Sequence, residues 1–247
     1  MCGRYASTAS RANLLERFVV DEQHADELRG PDFNVTPTKS NPVVIARVPK
    51  DAGDDVEPVR ELRSFRWGLV PFWAPDLKMG SRMANARAET VHEKPSFRTP
   101  FKSRRALIPV DAFYEWMETE QLGKNNKPVK QPFALRPADG STLALAGLWE
   151  TWTDKSKPEG DPERLVRTYT IITTNATDAV GRIHDRMPMA IAPADWEAWL
   201  DPRNHDVDEL RSLMAPPLGE LEIYAVSKAV NSVRNNGPEL LEPIALS

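Results

Sequence analysis

The 22 prolines of this 247-residue chain are spread along its whole length rather than gathered in one tract. Each fixes φ and removes a backbone donor, so each bounds the element it touches. Such a spread argues for many defined turns between short elements, not for a disordered segment. Between the prolines lie short runs of β-branched and alternating residues. Strands are predicted over 42–48, 59–65, 105–110, 112–117, 133–136, 143–149, 168–173, 189–192 and 221–226. The first two read as a hairpin joined by the polar segment 50–57. Helices are predicted over 7–18, with Ala12, Leu15 and Phe18 on one face, and over 193–200 and 207–214. The Lys-, Asp-, Gly- and Pro-rich segments 118–131 and 153–164 read as exposed loops. The sum is a β-rich α+β fold without internal repeats, read as a single domain over 1–247.

A hydrophobic content of 40% supports a sizeable core. No apolar run approaches the roughly 20 residues that span a bilayer. The first residues lack the profile of a signal peptide, so a soluble, intracellular, cytoplasmic protein is expected. A single cysteine excludes an intrachain disulfide, and the Cys/His spacing of a structural zinc site is missing. Neither a metal nor a cofactor is expected. The net charge of −4 weighs against nucleic-acid binding by the chain as a whole. A small basic groove formed by Arg4, Arg66, Arg87 and Arg186 on an acidic body is still compatible with it.

Cys2 is the candidate nucleophile. Methionine removal favours a small second residue, and processing would leave a cysteine with a free α-amine, a 1,2-aminothiol. An α-amine with a pKa near 8 and a thiol near 8.5 both react close to neutral pH. Amine and thiol together capture an aldehyde twice, as a Schiff base and then as a thiazolidine ring. From position alone, Cys2 is no more than a small residue near a terminus. Gly3 and Arg4 beside it suit the close approach of a backbone and a phosphate.

Further candidates lie along the chain. If extended, Asn85-Ala86-Arg87-Ala88-Glu89 turns Asn85, Arg87 and Glu89 to one face. Glu115 sits among Phe113, Tyr114 and Trp116, where a carboxylate needs a partner or a raised pKa. It could orient an amine and move its proton. His184, in Ile183-His184-Asp185-Arg186-Met187-Pro188, offers an imidazole able to protonate a sugar oxygen. Trp73 and Trp116 are candidates for stacking on unpaired bases, whereas Trp67 reads as core.

Taken together and in order, Met1-Cys2-Gly3-Arg4, Phe33-Asn34-Val35-Thr36-Pro37, Arg66-Trp67-Gly68-Leu69-Val70-Pro71, Asn85-Ala86-Arg87-Ala88-Glu89-Thr90, Phe113-Tyr114-Glu115-Trp116 and Ile183-His184-Asp185-Arg186-Met187-Pro188 resemble the SRAP (SOS response-associated peptidase) family. The resemblance implies a mostly antiparallel, barrel-like β core flanked by short helices. It implies Cys2, Asn85, Glu115 and His184 at the active site, with Arg4, Trp73, Arg87, Trp116 and Arg186 on DNA. It also implies abasic single-stranded DNA as the partner of a monomer, and a thiazolidine crosslink once Met1 is lost. Two other readings stay open at this point: a cysteine peptidase using Cys2 with His184, and a nucleic-acid binding module without chemistry.

Overall fold

The computed structural model describes residues 2–49, 56–123, 126–216 and 219–246. Met1 and residues 50–55 of the predicted hairpin connection lie outside the described residues. In chain order the strands are β1 (Tyr5–Ser7), β2 (Asp32–Val35), β3 (Ser40–Arg47), β4 (Val59–Trp67), β5 (Asn85–Arg87), β6 (Arg105–Val110) and β7 (Ala112–Leu122). They continue with β8 (Pro128–Pro137), β9 (Leu143–Thr153), β10 (Leu165–Asn175), β11 (Arg186–Pro188), β12 (Ala190–Ile191), β13 (Met214–Ala215) and β14 (Leu221–Ala225). The helices are short: α1 (Arg11–Phe18), α2 (Arg98–Ser103), α3 (Asp178–Gly181), α4 (Trp196–Leu200) and α5 (Val207–Ser212).

Strands β10, β4, β3, β6 and β9 pair in that order, and β9 pairs back onto β10, which closes a ring. Every pair in the ring is antiparallel except β10 with β4, joined in parallel at Thr168↔Arg66 and Tyr169↔Trp67. The expectation of a mostly antiparallel, barrel-like core in an α+β fold therefore holds. A second sheet runs β14-β8-β7-β1-β2.

The two-residue period of the strands divides the core. Val43, Ile45, Phe65, Trp67, Ile108, Tyr169 and Ile171 pack with Cys2, Tyr5, Phe113 and Leu135 of the second sheet's side. Their neighbours Val44, Ala46, Leu107, Leu148 and Ile172 pack instead with Leu14 and Phe18 of α1, and with Trp196, Trp199 and Leu200 of α4. Strand β6 is buried at every position because both of its faces are covered. Among the described residues, no helix is long and apolar enough to cross a membrane.

Three local expectations are corrected. The segment 118–131 is not a loop for most of its length: β7 and β8 extend through it as an antiparallel ribbon, with Glu118 opposite Lys130. Its polar side chains reflect a ribbon wet on its surface, not missing backbone pairing. The helix predicted over 7–18 begins only after Ser10, whose hydroxyl caps Asn13 N–H at 3.2 Å, because Ser7 belongs to β1. Its buried residues are Leu14 and Phe18, one helical turn apart, while Ala12 is exposed. Finally, β5 ends at Arg87, so Glu89 lies beyond the predicted extended face.

After β4 the chain crosses over itself. Gly68 has φ of 110°, and a Cβ there would sit 2.5 Å from the carbonyl oxygen of Gly80. A Cβ on Gly80 would likewise meet the Gly68 oxygen at 2.5 Å and Val70 Cγ2 at 2.8 Å. This crossing directs the loop that carries Phe72 and Trp73. Gly80→Ala is expected to destabilise the protein by about 1–3 kcal/mol through forced backbone displacement. A thermal midpoint equal to that of the parent would contradict the crossing.

Candidate active site

Strand β1 aligns antiparallel to β7 with Tyr5 opposite Phe113, and Tyr114 N–H donates to the Arg4 carbonyl at 2.9 Å. Continuing that register brings Glu115 alongside Gly3 and Cys2. Strand β5 is hung on β10 at Ile171↔Asn85, and the Asn85 side-chain amide donates to the Cys2 carbonyl at 2.8 Å. His184 lies between α3 and β11, and β11 is held to β10 at Asn175↔Arg186. Residues separated by more than 180 positions thus come together because β10 binds the strand that carries Asn85 and the strand that follows His184.

Cys2 is fully buried. Burial, reinforced by the neighbouring Glu115 carboxylate, pushes its thiol well above the ordinary range. Glu115 is only 2% exposed, and burial raises its carboxyl from an ordinary 4.5 to about 7, with Asp185 adding to the rise. His184 is shifted the other way, downward, mainly by burial. Its Nε2 lies 4.0 Å from Glu115 Oε2. That distance exceeds a hydrogen bond, and both shifts favour the neutral forms, so the contact is a close approach of two proton-handling groups rather than an ion pair.

His184 Nδ1 has two neighbours that ask for opposite protonation. It accepts the Arg186 N–H at 3.0 Å and stands 2.9 Å from Asp185 Oδ1. The backbone amide is fixed in place, whereas the Asp185 side chain is 86% exposed and can turn away. The amide bond therefore sets the tautomer, with the ring proton on Nε2 facing Glu115.

A cavity of about 380 Å³ opens at Glu115 and His184, lined also by Arg4, Trp116, Lys130 and Asn231; Cys2 and Asn85 lie behind it and do not line it. Arg4 is held rigidly: Nη1 donates to Asn34 Oδ1 at 2.7 Å and to the Val230 carbonyl at 2.6 Å, and its guanidinium lies 5.6 Å from the centre of the Trp116 ring. Asn34 in turn is fully buried and binds the carbonyls of Ser232 and Asn235 at 3.0 and 2.9 Å. Trp116 Nε1 donates to Asn231 Oδ1 at 2.7 Å.

The other sequence candidates are placed differently. Arg87 is exposed on β5, and Trp73 is 49% exposed beside Phe72 at 65%; none of these lines the cavity. Arg186 is buried and engaged inside the protein: it grips Glu89 through both nitrogens at 2.7 and 3.1 Å, and also binds Asn175 Oδ1 and the Thr173 carbonyl. Lys130, Asn231 and the anchoring role of Asn34 were not identified from sequence. Asn34 stands in a quoted motif that signalled its importance without its role, whereas Lys130 lay in the segment read as a loop and nothing marked Asn231. A larger cavity, about 740 Å³, lies elsewhere, between β1, α1 and β3.

The raised Glu115 carboxyl has a consequence for stability. The folded protein retains this proton up to about pH 7, while the unfolded chain releases it near 4.5. Folding thus binds a proton between those values, and the stabilisation, full below 4.5, is lost as pH rises towards 7, by about 3 kcal/mol at most. Glu115→Gln is expected to flatten the fall of the thermal midpoint between pH 5 and pH 8. Parallel midpoint curves for variant and parent would refute a raised carboxyl.

Comparison with known proteins identifies the family and the fold. The family description "SOS response associated peptidase (SRAP)" matches residues 1–233. The chain is similar to abasic site processing protein YoqW of Bacillus subtilis (strain 168), 39% identical over 243 residues and covering 98% of this chain and 99% of that one. It is also similar to abasic site processing protein HMCES of Gallus gallus, 34% identical over 277 residues and covering 100% of this chain and 79% of that one. Among solved structures, a protein from Bacteroides thetaiotaomicron shares the fold with a TM-score of 0.77 at 24% identity, covering 99% of this chain and all of that one. With the closed barrel, the motifs in order and these matches in hand, the chain belongs to the SOS response associated peptidase (SRAP) family.

Proposed function

We propose that this protein captures abasic sites in single-stranded DNA, as a monomer, through a thiazolidine formed on Cys2 once Met1 has been lost. Processing of abasic sites is what the names of its relatives state. The observation that carries the chemistry is Glu115, a buried carboxyl tuned to about 7 beside Cys2 on a cavity shared with His184.

Hydrolysis of the Met1–Cys2 peptide bond gives Cys2 a free α-amine. As the abasic sugar opens to the aldehyde, the proton leaving its C1′ hydroxyl is relayed through His184 to the ring oxygen, with no net change on the imidazole. The amine adds to the aldehyde carbon, Glu115 accepts the proton released from nitrogen, and loss of one water leaves the Schiff base. The Cys2 sulfur then adds to that carbon while its proton passes to nitrogen, which closes the ring. Aldehyde, amine and thiol thus give thiazolidine and one water. Burial keeps the thiol protonated, which favours amine addition first and ring closure second. The same burial, with a neutral His184, argues against a thiolate–imidazolium peptidase acting on other chains. Run in reverse, the same proton transfers release the DNA.

Arg4 and Trp116 would face the nucleotide in the cavity. Trp73 and Arg87, exposed outside the cavity, would meet the strand there, Trp73 by stacking and Arg87 by its charge. For Arg186 to bind a phosphate, that phosphate would have to replace Glu89.

The test is intact-mass measurement and denaturing electrophoresis after incubation with abasic single-stranded DNA. The parent should yield an adduct equal to protein without Met1 plus DNA minus water. Cys2→Ser, which keeps the amine but lacks the thiol, should give a covalent product only when borohydride reduces the Schiff base. A durable adduct in Cys2→Ser without reduction would overturn the mechanism. Glu115→Gln is expected to slow capture by roughly 100-fold, the ordinary scale of general acid–base catalysis. Capture at an unchanged rate across pH 5–8 would remove Glu115 from the chemistry.

A further inference from the structure

Glu89 belongs to the polar run that begins at Asn85, yet it does not line the cavity and the capture chemistry gives it no part. It stands in the turn that follows β5, where Thr90 N–H donates to the Arg87 carbonyl at 3.1 Å. Ala88 N–H, beside it, donates to the Thr173 carbonyl of β10 at 2.9 Å. The Glu89 carboxylate accepts a fork from Arg186, Nη1 to Oε1 at 2.7 Å and Nη2 to Oε2 at 3.1 Å, and this guanidinium holds the carboxyl below its ordinary range. Arg186 is only 8% exposed, so its charge requires a partner of opposite sign. Glu89 is the carboxylate that pairs with it among the described residues. The other acceptors are neutral: Asn175 Oδ1 at 2.7 Å, the Thr173 carbonyl at 2.6 Å and the Thr173 hydroxyl at 3.3 Å.

The backbone of the same arginine governs His184. Arg186 N–H donates to Nδ1 at 3.0 Å, which leaves the ring proton on Nε2, towards Glu115. The opposite tautomer has its acceptor in place as well. Asp185 Oδ1, 2.9 Å away, would take a proton carried on Nδ1, and Nε2 would then turn a lone pair to Glu115. What separates the two forms is whether the Arg186 amide keeps its position. Strand β11 has three residues and lies at the edge of its sheet, so its pairing alone is a weak hold. The guanidinium adds an anchor at its first residue. With Glu89 uncharged, that guanidinium gains by moving out to water, and the move draws the amide away from Nδ1.

We propose that Glu89 is a positioning residue: as the counter-charge of Arg186 it keeps the Arg186 amide on Nδ1, and so holds His184 with its ring proton on Nε2. The consequence for capture rests on the part proposed for His184 in that reaction, whereas the tautomer is measured without DNA.

The ring nitrogens of nitrogen-15-labelled histidine report the tautomer at pH 8, where His184, lowered by burial, is neutral. His184→Gln identifies its resonances among the four histidines. The parent should show the Nε2–H form. Glu89→Gln keeps the size of the side chain but sets an amide against the fork, and the Nδ1–H form should rise to half the population or more. Glu89→Gln/Asn175→Asp puts a carboxylate back on the same Nη1 and should restore the parent spectrum; Asn175 is exposed, so the second change is compatible with folding. Lost packing at Glu89 predicts no such rescue. The capture rate at saturating abasic single-stranded DNA should fall about tenfold in Glu89→Gln and recover in the double variant, since His184 is displaced rather than removed. A shifted tautomer with unchanged capture would uphold the role of Glu89 and remove His184 from the capture chemistry. A parent in the Nδ1–H form, an Nε2–H form retained in Glu89→Gln, or a double variant that folds without regaining it would overturn the proposal. If Glu89→Gln does not fold, the double variant decides: the parent tautomer upholds the proposal, and the other tautomer or failure to fold overturns it.

Discussion

Strand β10 bears more of this architecture than any other element. Over its first part it pairs with β9, and at Thr168 and Tyr169 it also pairs with β4, so the ring closes on it. Over its second part it takes β5 at 171–173 and β11 at 173–175. Closure removes the exposed edges that an open sheet would present, and the second half then uses its remaining donors and acceptors to hold two fragments of three residues each. These fragments are too short to persist on their own. Asn85 and Arg186 are where they are because the ladder on β10 is.

A second constraint acts at the N-terminus. Chain ends are ordinarily mobile, yet Cys2 is fully buried. It is pinned from three directions: β1 is clamped between β2 and β7, Asn85 binds the Cys2 carbonyl, and Arg4 is tied to Asn34 and Val230. Asn34 extends that hold to Ser232 and Asn235, far along the chain. A terminus ordered in this way is pre-organised, so the entropy of placing Cys2 is met during folding. The same burial that fixes Cys2 also acts on the protonation of its surroundings, raising the Glu115 carboxyl to about 7 and lowering His184, so that each neutral form is favoured over its charged one relative to solution.

The regular elements were readable from local pattern to the extent that one face was buried. β6 was found with its bounds, the strand predicted over 143–149 forms the first part of β9, and that over 168–173 the centre of β10. Their hydrophobic spacing records which face meets the core. β1, β2 and β11 were not found, because three or four residues carry no measurable period and owe their strand geometry to a partner. The ribbon at 118–131 was missed for a related reason: its pairing is made by backbone groups, and its exposed polar side chains resemble those of a loop.

The sequence by itself determined the inventory of the site. An aminothiol-forming Cys2, an out-of-place Glu115 among aromatics and a histidine in a proline-bounded segment are each visible one residue at a time, because reactivity and the cost of burying charge are properties of residue types. Only the tertiary structure decided their relations: that Glu115 and His184 approach to 4.0 Å, that Arg186 is engaged with Glu89, and that Lys130 and Asn231 complete the cavity. Distances between residues a hundred positions apart, and the local burial that moves a carboxyl to about 7, arise from long-range strand pairing. That pairing depends on the whole chain at once, and no local stretch encodes it.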